Sequence, residues 1–158
     1  MLGVKPYLNF NGNCEEAINY YKDCMNGEVL FMQRYGDSPM NSEGMEDKVM
    51  HTTLKIGDSV IMASDCPPGN ETTSGNNISL AIGTNDAAQA ETFFNKMADG
   101  GQITMPMQKT FWAERFGMLT DKFGINWMLT ATSPTEIAKP QKPSFAVANG
   151  DKKVAQSE

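Results

Sequence analysis

The chain has 158 residues, 40% of them hydrophobic, which suffices for one large domain or two small ones in close contact. A formal net charge of −6, with no lysine or arginine run, argues against nucleic acid or an anionic membrane surface as partner. No apolar stretch nears the roughly 20 residues of a membrane span, Lys5 and Pro6 break the N-terminus before a signal-peptide core can form, and Cys14, Cys24 and Cys66 lack CxxC spacing, so the chain reads as cytoplasmic with reduced thiols.

Lys5 to Phe10 reads as a short strand with Leu8 and Phe10 on one face and Tyr7 and Asn9 on the other. Asn11-Gly12 turns the chain, and Asn13 with Glu16 has the form of a capping box. The helix that follows carries Ala17, Ile18, Tyr21 and Met25 at helical spacing, with Gly27 as its stop. Val29 to Tyr35 is a second strand, and Gly36 to Asp47 a loop rich in small, polar and acidic residues. His51–Ile56 and Ser59–Ser64 form a hairpin about Gly57-Asp58.

Cys66 to Gly75, CPPGNETTSG, is the strongest linker signal, and after it the programme restarts. Asn77–Ile82 is a strand, Asp86 with Gln89 repeats the capping box, and Ala90, Phe93, Phe94 and Met97 line the next helix as far as Gly100-Gly101. Ile103–Met107 is a strand whose Pro106 demands an edge or a bulge. Glu114–Thr120 and Ile125–Thr130 form a closing hairpin about Asp121-Lys122-Phe123-Gly124. That aromatic- and methionine-rich ribbon should line a cavity. Ala17, Tyr20, Tyr21 and Gly27 match Ala90, Phe93, Phe94 and Gly100 at constant offset, so strand, helix and three strands occur twice. The expected organisation is a first module over residues 1–66, a linker over 67–76, a second module over 77–132 and a flexible tail over 133–158.

These letters resemble the PhnB-like group of the vicinal oxygen chelate superfamily, which includes glyoxalase I, extradiol dioxygenases and the bleomycin and fosfomycin resistance proteins. The carrying residues are Pro6-Tyr7-Leu8-Asn9-Phe10 before Asn13 and Glu16-Ala17-Ile18, and Gly57-Asp58-Ser59-Val60-Ile61-Met62-Ala63-Ser64-Asp65. Thr110-Phe111-Trp112 before Phe116-Gly117, and Thr120-Asp121-Lys122-Phe123-Gly124 with Trp127-Met128, complete the set. The resemblance implies an α+β fold: two βαβββ modules forming a curved mixed sheet around a cavity, with the helices outside. It also implies a homodimer, an expectation that the apolar stretch from Phe111 to Phe116 supports. Metal-using relatives place a ligand on the first and last strand of each module. Those slots fall on Lys5 or Pro6, Met62, Asn77 and Met128, a set that cannot make a hard divalent site. We therefore expect no metal and no cofactor.

His51 is the sole imidazole, and strand alternation turns it away from the helix layer, with Thr53 and Lys55. It is either a general base or anchoring donor, or a histidine bonded into the wall or exposed at the start of its strand. Tyr7 and Asn9 would orient a polar ligand group or pack between sheets, and Trp112 with Phe111 would rim the cavity or fill the core or a dimer interface. Met62, Asn77 and Met128 complete the expected ligand-binding set, the methionines as adaptable apolar lining. Glu114 and Arg115 read as a solvated pair. No Gly-rich strand–turn–helix is present for a nucleotide-type methyl donor, and no Gly-rich phosphate cradle. The functional expectation is metal-independent binding of an unidentified small molecule, with a lyase or isomerase using His51 as general base as the alternative.

Overall fold

A computed structural model describes residues 1–132; the tail expected over 133–158 lies outside the described residues. The first half runs β1 (Tyr7–Phe10), α1 (Cys14–Met25), β2 (Glu28–Arg34), β3 (Val49–Ile56) and β4 (Ser59–Asp65). The second repeats the order with β5 (Leu80–Thr84), α2 (Ala87–Ala98), β6 (Gln102–Gln108), β7 (Arg115–Thr120) and β8 (Asn126–Ala131). Each half makes a four-stranded sheet, ordered β1-β4-β3-β2 and β5-β8-β7-β6. In both sheets the first strand runs parallel to the last, while the other pairs are antiparallel. The expected α+β pair of βαβββ modules is thus present, with its strands in two mixed sheets and no closed barrel.

Alternation decides which face of each sheet is covered. Leu8, Phe10, Leu54, Ile61 and Ala63 are buried beside α1, and Leu119, Trp127 and Leu129 beside α2. Removing this apolar area from water is the main driving force for both modules. The two covered faces share one core, and α1 meets α2 where the Tyr20 hydroxyl donates to the Lys96 carbonyl. Among the described residues, the opposite, open face of each sheet carries mostly half-buried or exposed side chains.

Two buried carboxylates organise the backbone, and neither is evident from pattern. Asn13 makes no side-chain capping bond. Asp65, at the end of β4, does the capping instead: its Oδ1 accepts from the Gly12 and Cys14 amides at 2.9 Å each, and its Oδ2 from the Val49 amide at 2.9 Å. The carboxylate thus supplies an acceptor for the orphan Cys14 amide at the start of α1 and ties the helix to two strands. Burial and, secondarily, the neighbouring Asp65 push the Cys14 thiol far above its ordinary range. Asp121 plays the second such part. It accepts from the Tyr21 hydroxyl of α1, from Trp127 Nε1 at 2.8 Å, and from the Phe123 and Ile125 amides at 2.8 and 3.1 Å. One side chain of the second module therefore holds a helix of the first.

Several boundaries and partners differ from the sequence reading. β1 starts at Tyr7, because Pro6 has no N–H for the ladder, although its carbonyl accepts from Met62 N at 3.1 Å. The strand expected from Asn77 begins at Leu80. Asp86 does cap α2, through Gln89 N at 3.1 Å, but the Gln89 side chain turns to the Thr84 hydroxyl. Asn26, not Gly27, takes the left-handed conformation at the end of α1. Gly27 is needed for close approach, since a Cβ there would lie 2.9 Å from the Lys55 carbonyl oxygen. Arg115 pairs with Glu91 on α2 rather than with Glu114. Pro106 sits, as expected, in an edge strand with broken register.

Candidate functional site

The open faces carry the candidate site. In the first sheet, register aligns Tyr7 with Met62, Met62 with Thr53 and Thr53 with Phe31, one row across all four strands. In the second sheet the same topology aligns Ala81 with Met128, Met128 with Met118 and Met118 with Met105. Residues directly opposite in a ladder share a face, so each row is a continuous strip of side chains. These residues are half-buried or exposed, in contrast to the fully buried Leu54 and Leu129 on the other faces.

His51 stands one step along from the first row, paired in register with Gln33. Its Nδ1 lies 3.1 Å from the Tyr7 hydroxyl and its Nε2 3.4 Å from the Thr53 hydroxyl. The Phe31 ring is tilted against the imidazole at 6.0 Å between centroids. Two tautomers are chemically distinct here. With the proton on Nε2, Tyr7 donates to Nδ1 and the phenol oxygen faces outward as an acceptor. With the proton on Nδ1, the phenol accepts and its own O–H is left to donate to a ligand, while Nε2 holds a lone pair. The pair can therefore present either a donor or an acceptor to a bound oxygen.

The expected site residues do not all converge. Tyr7, Met62 and His51 are neighbours on the open face of the first sheet, and Asn9 follows Tyr7 on the same side of β1. Met128 occupies the corresponding row of the second sheet. Asn77 precedes β5 and lines a cleft along β1 and the inter-module segment, away from Met128. Trp112 lies in the loop between β6 and β7, edge-on to Phe116 at 5.4 Å, with Phe111 95% exposed beside it. Phe31, Met105 and Met118 belong to the rows but were not singled out by sequence. Their alternation was visible in the letters, whereas the pairing of edge strands through bulges was not.

The donors at the metal-ligand slots are poor. Register sets Tyr7 and Ala81, rather than Lys5, Pro6 or Asn77, beside Met62 and Met128. Two thioethers, a phenol and a methyl group do not fit a hard divalent ion, which requires oxygen or nitrogen donors. Among the described residues, no group of three or more His, Cys, Asp or Glu side chains is placed to hold a metal.

The repeated βαβββ topology is that of the vicinal oxygen chelate superfamily, and comparison with known proteins narrows it. The profile of the family described as 3-demethylubiquinone-9 3-methyltransferase matches residues 3–130, and the chain belongs to this PhnB-like family. Protein PA1353 of Pseudomonas aeruginosa is 40% identical, with 84% of this chain and 99% of that one covered and a TM-score of 0.79. A PhnB protein from Bacillus cereus is 29% identical over 83% of this chain and 100% of that one, with a TM-score of 0.70. The fosfomycin resistance protein FosX of Listeria monocytogenes, solved with Mn(II), shares the fold at 13% identity, covering 89% of this chain and 99% of its own, with a TM-score of 0.59.

Proposed function

We propose that this protein binds a small molecule on the open face of its first sheet, without a divalent metal. The observation that carries the reading is the Tyr7–His51–Thr53 hydrogen-bonded set with the half-exposed Met62 and Phe31 side chains in the same row as Tyr7 and Thr53. Binding sites of this kind pair apolar area with a few placed polar groups. Tyr7, Asn9 and His51 would fix a polar group of the ligand, and Met62 with Phe31 would receive its apolar part. A second copy of the chain would cover the open faces in a homodimer, bringing Met128 and Trp112 toward the ligand. The test is native mass spectrometry and sedimentation of purified full-length protein. A retained small molecule, lost in Tyr7→Phe with His51→Ala, supports the reading; a monomer at micromolar concentration that carries nothing opposes it.

A second reading is a metal-independent lyase or isomerase. It is favoured by one contact, the phenol–imidazole bond of 3.1 Å, because a base whose proton can pass to a neighbouring hydroxyl is suited to proton transfer. In that reading Nε2 takes a proton from a carbon next to a carbonyl, and Asn9 or the Tyr7 hydroxyl donates to the oxygen that gains charge. Turnover abolished by His51→Ala, with binding retained, would favour it over binding alone.

A further inference from the structure

A second cleft lies where the modules join, between β1, the turn from β7 to β8 and the segment from Thr72 to Ile78. Its volume of about 520 Å³ falls within the roughly 300–1,000 Å³ of small-molecule sites. The inter-module segment forming its outer wall is pinned at both ends. Asn11 Nδ2 donates to the Thr72 carbonyl at 2.9 Å while Thr72 N donates to Asn11 Oδ1 at 2.8 Å, imitating a ladder pair. Asn126 Nδ2 donates to the carbonyls of Gly75 and Ile78 at 2.8 and 3.0 Å. Between these anchors Ser74 rests on Gly124, where a Cβ would collide with its hydroxyl and where φ is +85°. This stretch is a built wall.

The lining chemistry is selective. Among the described residues, no Asp, Glu, Lys, Arg or His side chain lines the cleft. Its polar groups are amides and hydroxyls: with Asn11, Thr72 and Asn126 committed to the wall, Asn9, Asn13, Thr73, Ser74 and Asn77 remain in the lining. Phe123 and Ile78 supply apolar surface. Desolvating an ionic ligand here would leave its charge without a counter-charge. Carboxamides and hydroxyls both donate and accept, so they match a ligand whose own groups do both. We propose that the cleft binds a neutral, hydroxyl-rich small molecule of sugar size, in contact with Asn9 and Asn77. The proposal goes beyond the open-face reading and shares with it only Tyr7 and Asn9, at the edge common to both.

Three probes with one ring and different charge test it: N-acetylglucosamine, glucuronate and glucosamine, each titrated to about 50 mM, which reaches millimolar affinities. The readouts on the full chain are the side-chain amide resonances of Asn9 and Asn77 and the methyl resonances of Met62, Met118 and Met128. The expected result is saturable movement of the asparagine amides by N-acetylglucosamine, with the two charged probes at least about tenfold weaker. Asn77→Ala should weaken N-acetylglucosamine at least about fivefold with an unchanged thermal midpoint. Equal or tighter binding of either charged probe, no response of the asparagine amides to N-acetylglucosamine, or an unchanged affinity in Asn77→Ala would overturn the proposal. Movement confined to the methionine methyls would also overturn it, while supporting the open-face site.

Discussion

Replacing Tyr21 by Phe tests whether one buried carboxylate couples the two modules. Tyr21 and Trp127 are both buried, and their rings meet edge-on at 5.3 Å. Burial first and Asp121 second push the Tyr21 phenol far above its ordinary range, so it acts as a donor throughout the working pH range. Tyr21→Phe deletes one of the four hydrogen bonds to Asp121 and leaves the carboxylate three donors. A hydrogen bond to a charged group contributes about 1.5–3 kcal/mol, so that is the expected loss. Asp121→Ala orphans two buried side-chain donors at about 1–3 kcal/mol each, hence about 2–6 kcal/mol, a large part of the roughly 5–15 kcal/mol that holds a domain together. The assay is urea unfolding followed by tryptophan fluorescence and by far-ultraviolet circular dichroism. At about 1–3 kcal/mol per molar urea, Tyr21→Phe should lower the midpoint by roughly 1 M. A cycle with Trp127→Phe should be non-additive, since both donors share one acceptor. A loss under about 0.5 kcal/mol for Tyr21→Phe, the range of ordinary surface substitutions, would refute the coupling role.

Three further outcomes follow from the same geometry. Hydrogen bonding from Arg34 holds the Glu15 carboxyl below its ordinary value, against a smaller opposing effect of burial. A depressed carboxylate stabilises above its unfolded value of 4.5 and loses that contribution as pH falls through its lower folded value, so Arg34→Ala should cost about 1 kcal/mol or less at neutral pH, a difference that shrinks in acid unfolding curves below pH 4.5. Cys66 is the partly exposed thiol, and burial followed by Asp65 and Glu71 pushes it above its ordinary range. Alkylation of native protein should therefore start at Cys66 and accelerate above pH 9.0, with Cys14 and Cys24 reacting only on unfolding, as mass spectrometry of the labelled peptides would reveal. Calorimetric titration with Zn(II), Ni(II) and Mn(II) should show no tight binding; a stoichiometric heat lost in His51→Ala would reveal a ligand set outside the four slots.

Where each element falls was legible because it depends on local signals. The alternation of Leu8 and Phe10 against Tyr7 and Asn9, and of Thr52 and Leu54 against His51 and Thr53, appears directly in burial. The repeat was legible for the same reason, since both helices bury the same spacing. Register was not. It depends on bulges between Val29 and Phe31 and between Ile103 and Met105, and a bulge changes which residue faces the open side without a fixed residue signature. The role of Asp65 is not legible because its donors, such as Cys14, are distant in sequence; Asp121 is legible as a turn residue through Phe123 and Ile125, but its bond from Tyr21 is not. Asn77 was drawn onto a strand by the apolar residues after it, while the backbone there is held by Asn126 instead.

The two modules repeat a backbone and diverge in chemistry. Their equivalent open-face rows share the methionine of the last strand, Met62 and Met128, yet Tyr7, Thr53 and Phe31 on one side answer to Ala81, Met118 and Met105 on the other. Polar groups fix the orientation of a ligand, whereas unbranched thioethers adapt to its shape. On the proposed reading the first module therefore orients and the second accommodates. That division also explains why the fold alone assigns no reaction: superfamily chemistry that depends on a divalent ion needs donors on the first and last strand of both modules, and here Met62 and Met128 fill the last-strand positions beside Tyr7 and Ala81. Restoring oxygen donors at the two methionines would still leave Ala81 with nothing to coordinate. On the proposed reading, the groups able to move a proton stand on the Tyr7–His51 side of the molecule.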